Sequence, residues 1–145
     1  MTVAAILKQK GSDSVLTITA DATLGDCAKK LAENRVGALI VSPDGNAIAG
    51  IISERDVIGA IGRKGAAALS EPVSSIMTRD VQVCGVDERA TALLRRMTNG
   101  RFRHLPVVEE GCLCAVISIG DVVKFRVAEI EMEKSALEDM VKGMY

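Results

Sequence analysis

The chain has 145 residues, with 18 Lys and Arg against 19 Asp and Glu, a net charge of −1, and 48% hydrophobic but only 2% aromatic residues. Its core must therefore be aliphatic. The balanced charge and the lack of aromatic stacking platforms argue against nucleic acid. No apolar run reaches the ~18–20 residues of a membrane span, and Met1 to Gly11 places Lys8 and Lys10 after its apolar stretch, the reverse of a secretory leader, so the expectation is a cytoplasmic protein with no membrane and no nucleic-acid partner.

Taken in chain order, Val15 to Thr19 has strand character. Thr23 to Asn34 sets Leu24, Cys27, Ala28 and Leu31 at helix spacing. Gly37 to Ser42 is a short apolar strand, and Ile48 to Ser53 returns beside it. The turn between them, Pro43-Asp44-Gly45-Asn46, has Pro to fix φ and Gly to permit positive φ. A short helix follows from Glu54 to about Ile61. Residues 63–72 read as a linker, in which Ala66 to Leu69 can add a helical turn. Val81 to Val83 is extended and Glu88 to Thr98 helical. Leu105 to Val108 and Cys112 to Ser118 form a hairpin, and a long helix runs from about Gly120 to Val141.

The second half repeats the first. At an offset of 66, Asp21 falls on Asp87, Leu31 on Met97, Arg35 on Arg101, Leu39 on Leu105 and Gly45 on Gly111. One deletion later the offset is 65, and Ser53 meets Ser118 while Asp56 meets Asp121. Upstream, Val3 to Leu7 echoes Val73 to Met77 at an offset of 70. The division this predicts is a first repeat over 1–62, the linker 63–72, a second repeat over 73–126 and a helical extension over 127–145. Each unit holds a small sheet with flanking helices, an α/β (α+β) class. Each has too little core to stand alone, so the two must pack together.

Ser118-x-x-Asp121 lies where a strand becomes a helix. It reads as an N-terminal capping pair. The same geometry offers a carboxylate to the two hydroxyls of a ribose and free amides to an anion. Ser53-x-x-Asp56 repeats it. Arg101, Arg103 and His104 cluster before the second core strand. They read as a solvated basic turn or as a phosphate clamp, since the arginine fork matches phosphate oxygens. If Arg101 and Arg103 lie on a strand, i and i+2 share a face. The one histidine and the cysteine spacings offer no zinc set. Cys27, Cys84, Cys112 and Cys114 read as reduced thiols.

Ala38-Leu39-Ile40-Val41 with Gly50-Ile51-Ile52-Ser53-Glu54-Arg55-Asp56-Val57, and Arg103-His104-Leu105-Pro106-Val107-Val108 with Val116-Ile117-Ser118-Ile119-Gly120-Asp121-Val122, stand in register over residues 3 to 126. These segments resemble tandem cystathionine β-synthase (CBS) repeats, the Bateman module, in its stand-alone bacterial form. The resemblance implies a disc-like pair with two clefts, and an adenosyl ligand such as AMP, ATP, NAD or S-adenosylmethionine. It also implies ligand contact near the first strand, by Thr17 or Thr19, although the β-propensity of threonine explains both equally. Aliphatic walls such as Val36, Ala38 and Ile52 would hold the adenine. The tighter site is expected to join Asp121 to Arg101 and Arg103.

The expected function is a regulatory adenine-nucleotide sensor acting through an unknown effector protein, with no catalytic residues and no metal required. The alternative is a scaffold whose clefts bind nothing. A homodimer is expected through the last helix, where Val123, Val127, Ile130, Lys134, Leu137, Val141 and Met144 alternate four and three residues apart.

Overall fold

A computed structural model describes residues 2–11 and 15–143. The elements run α1 (Val3–Lys10), β1 (Thr17–Ile18), α2 (Leu24–Asn34), β2 (Ala38–Val41), β3 (Gly50–Ser53) and α3 (Glu54–Lys64). After 3₁₀ turns at Gly65–Ser70 and Val73–Ser75 come α4 (Ala90–Gly100), β4 (His104–Glu109), β5 (Cys112–Ser118) and α5 (Ile119–Gly143). This is the mixed α+β pair with a long last helix that the repeat predicts. The helical turn expected within the linker is the first 3₁₀ segment.

Thr23 starts α2 with a reciprocal cap: its Oγ1 accepts from the Asp26 amide, and the Asp26 carboxylate accepts from the Thr23 amide. The face carrying Leu24, Cys27 and Leu31 is buried. β2 is buried throughout. It pairs parallel with β1 and antiparallel with β3, giving the order β1-β2-β3. In the second unit β4 and β5 form an antiparallel pair, bulged between Val107 and Val108.

Several boundaries depart from the sequence reading: β3 starts at Gly50 rather than Ile48, and α3 runs on to Lys64. β1 is only Thr17–Ile18. Val81 to Val83 forms no strand, because Arg96 takes the Val83 carbonyl and only Cys84 bridges Val107. α4 begins at Ala90 rather than Glu88. The Glu88 carboxylate instead accepts from the Gly85 amide and from Arg96.

The segments that echo each other at an offset of 70 have changed places. Val3 and Ile6 of α1 lie in the second unit's core with Leu93, Leu105 and Ile117. The Val3 and Ala4 amides donate to the carbonyls of Glu88 and Val86 at 2.8 and 3.0 Å. Conversely, Val73 and Met77 complete the first unit's core beside Leu24, Leu39 and Ile52. The Val73 amide donates to the Ala22 carbonyl at 2.8 Å, and Thr78 pairs with Ile51 through two 2.9 Å bonds. Gly50 permits that approach, because a Cβ there would sit 2.7 Å from the Thr78 carbonyl oxygen.

α5 buries Val122 and Glu129 and leaves residues 130–143 exposed. Val123, Val127, Ile130, Leu137 and Val141 of the predicted seam all face solvent, and Met144 lies outside the described residues. No described helix is long and apolar enough to cross a membrane.

Candidate functional site

Two clefts lie between the units, related by the internal repeat. Each combines the Ser-x-x-Asp helix start of one unit with the helix-ending arginine of the other. The Asp121 cleft, about 500 Å³, is lined by Ser118 and Asp121 at the β5–α5 junction, Arg35 to Ala38 between α2 and β2, and Leu7 and Lys10 of α1. The Asp56 cleft, about 830 Å³, is lined by Ser53 to Asp56 at the β3–α3 junction, by Arg101, Phe102 and Arg103 after α4, and by Thr78 and Asp80. Both volumes suit a small-molecule ligand.

The Ser-x-x-Asp pairs form the caps expected of them. The Asp56 amide donates to Ser53 Oγ at 3.3 Å and the Ser53 amide to Asp56 Oδ2 at 2.8 Å. The second copy repeats this at 3.1 and 2.9 Å between Asp121 and Ser118. In both, each aspartate aligns one carboxylate oxygen on its cap and keeps the other for a further donor.

Arg35 and Arg101 are the left-handed residues that end α2 and α4, with φ of 53° and 56°. This corrects the picture of Arg101 and Arg103 on one strand face. β4 starts only at His104, and Arg101 belongs to a helix end. Both arginines nevertheless line the Asp56 cleft. Neither Arg101 nor Arg103 has a side-chain hydrogen bond or ion pair among the described residues.

The expected partnership of Asp121 with Arg101 and Arg103 is likewise corrected. Those arginines line the other cleft, opposite Ser53 and Asp56, while Asp121 faces Arg35 and Lys10. The units pair reciprocally, so each Ser-x-x-Asp meets the other unit's loop.

Lys10 was missed by the sequence reading. Its Nζ donates to Asp121 Oδ2 at 2.8 Å and to the Val116 carbonyl at 3.0 Å. Burial pushes the Asp121 carboxyl up, but the hydrogen bonds from Lys10 and Ser118 and the charge of Lys10 outweigh it and leave it below its ordinary 3.8. Carried three residues further, the echo at an offset of 70 sets Lys10 on Asp80, so the signal was in the sequence. The Asp56 cleft accordingly has Asp80 where the Asp121 cleft has a lysine.

His104 lines both clefts. Gly37 gives its ring room: a Cβ there would lie 3.1 Å from His104 Nε2, a tight contact. Burial lowers the imidazole below its usual 6.5, against the pull of the Glu54 and Asp121 carboxylates. Ala38 and Val36 line the Asp121 cleft as aliphatic wall. Ile52 is fully buried in the core and lines neither cleft, since its neighbour Ile51 takes the opposite strand face and the cleft position. Thr19 is exposed and also lines neither; β1 ends before it, and Val15 and Leu16 face the cleft instead.

Comparison with known proteins accords with this geometry. The family model for the CBS domain matches twice, at residues 7–63 and 73–128. A mitochondrial CBS domain-containing protein of Arabidopsis thaliana is 35% identical over 99% of this chain and 73% of its own length. The crystal structure of a CBS-domain containing protein from Agrobacterium tumefaciens superposes with a TM-score of 0.83 at 40% identity, covering 87% of this chain and 99% of that one. A CBS domain protein from Pyrobaculum aerophilum, solved in complex with AMP, superposes with a TM-score of 0.71 at 25% identity, over 83% of this chain and 89% of that one. Two matched repeats, two exchanged cores and two equivalent clefts make this chain a member of the CBS-domain family, with the repeats paired in one molecule.

Proposed function

We propose that the protein is a regulatory sensor that binds adenine nucleotides in the clefts between its repeats and reports them to a partner protein. The observation that carries this reading is the twofold recurrence of one arrangement. A capped aspartate with an oxygen to spare, a helix-start amide and an arginine from the opposite unit stand around a cavity of ligand size. A ribose presents two adjacent hydroxyl donors, which a carboxylate accepts. A phosphate presents oxygens that the arginine fork fits. The Pyrobaculum relative, solved with AMP, supports the ligand class.

In this reading Ser53, Asp56, Arg101 and Arg103 hold a ligand in one cleft. Ser118, Asp121, Ala38 and Arg35 hold one in the other, with His104 between them. The Asp56 cleft is the larger and is lined by Arg101 and Arg103, whose guanidinium groups have no partner among the described residues, so it is assigned the ligand with more phosphate, ATP or NAD. Neither catalysis nor a metal is part of the proposal. Burial pushes the thiols of Cys27 and Cys84 up to about 11, which makes them unreactive, and the compartment in this reading is the cytoplasm.

The exposed apolar face is assigned to a homodimer. Ile58 on α3 and Val123 on α5 are equivalent in the repeat and are 68% and 46% exposed, and the α5 seam continues the same apolar character. A second copy would cover both.

Thermal denaturation with AMP, ATP and NAD tests the ligand reading. At a hundred-fold excess over Kd a ligand adds about 2.7 kcal/mol, worth several degrees in Tm for a domain of this size. Absence of any shift with all three nucleotides would leave the scaffold reading in place.

A further inference from the structure

Lys10 stands beside the carboxylate to which the proposed function assigns the ribose. Its Nζ is held by Asp121 Oδ2 at 2.8 Å and by the Val116 carbonyl at 3.0 Å, at the mouth of a cleft that also contains Arg35. Its counterpart in the repeat is Asp80, which lines the Asp56 cleft. The two clefts therefore carry opposite charges next to equivalent aspartates. This matters most for a ligand whose ribose bears an anion. Esterifying one ribose hydroxyl removes a hydrogen-bond donor that the carboxylate would otherwise engage, and brings a charge of about −1.5 to −2 against it. An aspartate alone rejects such a ligand. Dinucleotide folds meet the same problem, placing an acid on a free 2′-hydroxyl and a basic side chain near a 2′-phosphate.

We propose that the Asp121 cleft accepts adenosyl ligands phosphorylated on the ribose, with Lys10 as the residue that decides this, and that the Asp56 cleft excludes them. The remaining ribose hydroxyl still donates to Asp121. An ammonium has three donors, of which Asp121 and Val116 use two, and the third is available to the phosphate. In the other cleft the same phosphate would meet Asp56 and Asp80 together. The proposal rests on the assignment of Asp121 to the ribose.

Titration calorimetry of the full chain with AMP, adenosine 2′,5′-bisphosphate and adenosine 3′,5′-bisphosphate tests it, and the two bisphosphates show which hydroxyl carries the group. One bisphosphate should bind per chain. Lys10→Ala should weaken bisphosphate binding by about ten-fold more than AMP binding, and Lys10→Arg should restore most of the difference. Asp80→Lys should open a second bisphosphate site. Circular dichroism checks that each variant is folded. Binding of AMP with neither bisphosphate would overturn the proposal while leaving the nucleotide reading in place, and an equal loss of AMP and bisphosphate in Lys10→Ala would overturn the role of Lys10. Unchanged AMP binding at both clefts in Asp121→Ala would overturn the ribose assignment and the proposal with it.

Discussion

A positive φ is uncommon for an arginine, yet Arg35 and Arg101 close their helices in that conformation, each at the edge of a cleft. Glycine would hold it at lower cost, so the side chain is kept for something other than the turn. Arg101→Gly should leave Tm unchanged or slightly raised while lowering nucleotide affinity, with adenosine binding little altered. Losing a charge-assisted hydrogen bond of roughly 1.5–3 kcal/mol is about ten- to a hundred-fold in affinity, which calorimetry resolves. Because Arg101 and Arg103 face Asp56, Asp56→Ala should impair ATP binding more than Asp121→Ala does, the reverse of the order expected from sequence. His104 supplies a pH signature. Burial holds its imidazole below 6.5, so the unfolded chain takes up the proton first. Its contribution to stability is full above pH 6.5 and is lost as pH falls through the lower, folded value. Tm should drop over that window, and His104→Gln should remove this part of the drop. An NMR titration of the single histidine gives the folded value directly.

At the scale of the element, α5 is two helices in one. Its first half packs through Val122, Phe125 and Glu129, and its second half, 130–143, is exposed among the described residues. An isolated stretch of that length is marginal in water, and its apolar side chains, Leu137 at 62% and Met140 at 67% exposure among them, favour a partner. Removing residues 131–145 should weaken the dimer, read by light scattering, while leaving nucleotide affinity intact, because no cleft residue lies beyond Asp121. A truncated chain that dimerises as strongly as the full one would show that α3 and the start of α5 suffice.

For the whole molecule, the exchange of leading segments ties the two units into one folding problem. α1 belongs by sequence to the first repeat and by packing to the second, while Val73 and Met77 do the converse. Ile6→Ala opens a cavity in the second unit's core, at a cost of about 2–5 kcal/mol. It should lower the Tm of the entire chain in a single transition. Two separate transitions by calorimetry would show that the units fold independently. The same exchange makes both clefts composite, so a unit expressed alone would lack half of each.

The sequence by itself determined the repeat, the elements from α2 to α3 and from α4 to α5 in order, and the four residues of the two Ser-x-x-Asp caps; it assigned no helix to α1 and gave Val81 to Val83 a strand that does not form. The elements and caps follow from local spacing, as in the apolar period of α2, the Pro-Asp-Gly turn and the reciprocal cap at Ser53 and Asp56, and the repeat from the match of the two halves at offsets of 66 and 65. It also carried the resemblance that named the family. Short strands were less legible, because Arg96 and Glu88 compete with the ladder and with the helix start through side chains that local pattern does not weigh. What only the tertiary structure decided is which repeat faces which. An internal repeat shows that two units are alike. It does not show whether Asp121 meets Arg101 of its own unit or Arg35 of the other, since both pairings satisfy the same periodicity. Burial of α1 against the second core selects the latter. That choice brings Lys10 to Asp121, moves Arg101 and Arg103 opposite Asp56, and leaves Thr19 outside both clefts.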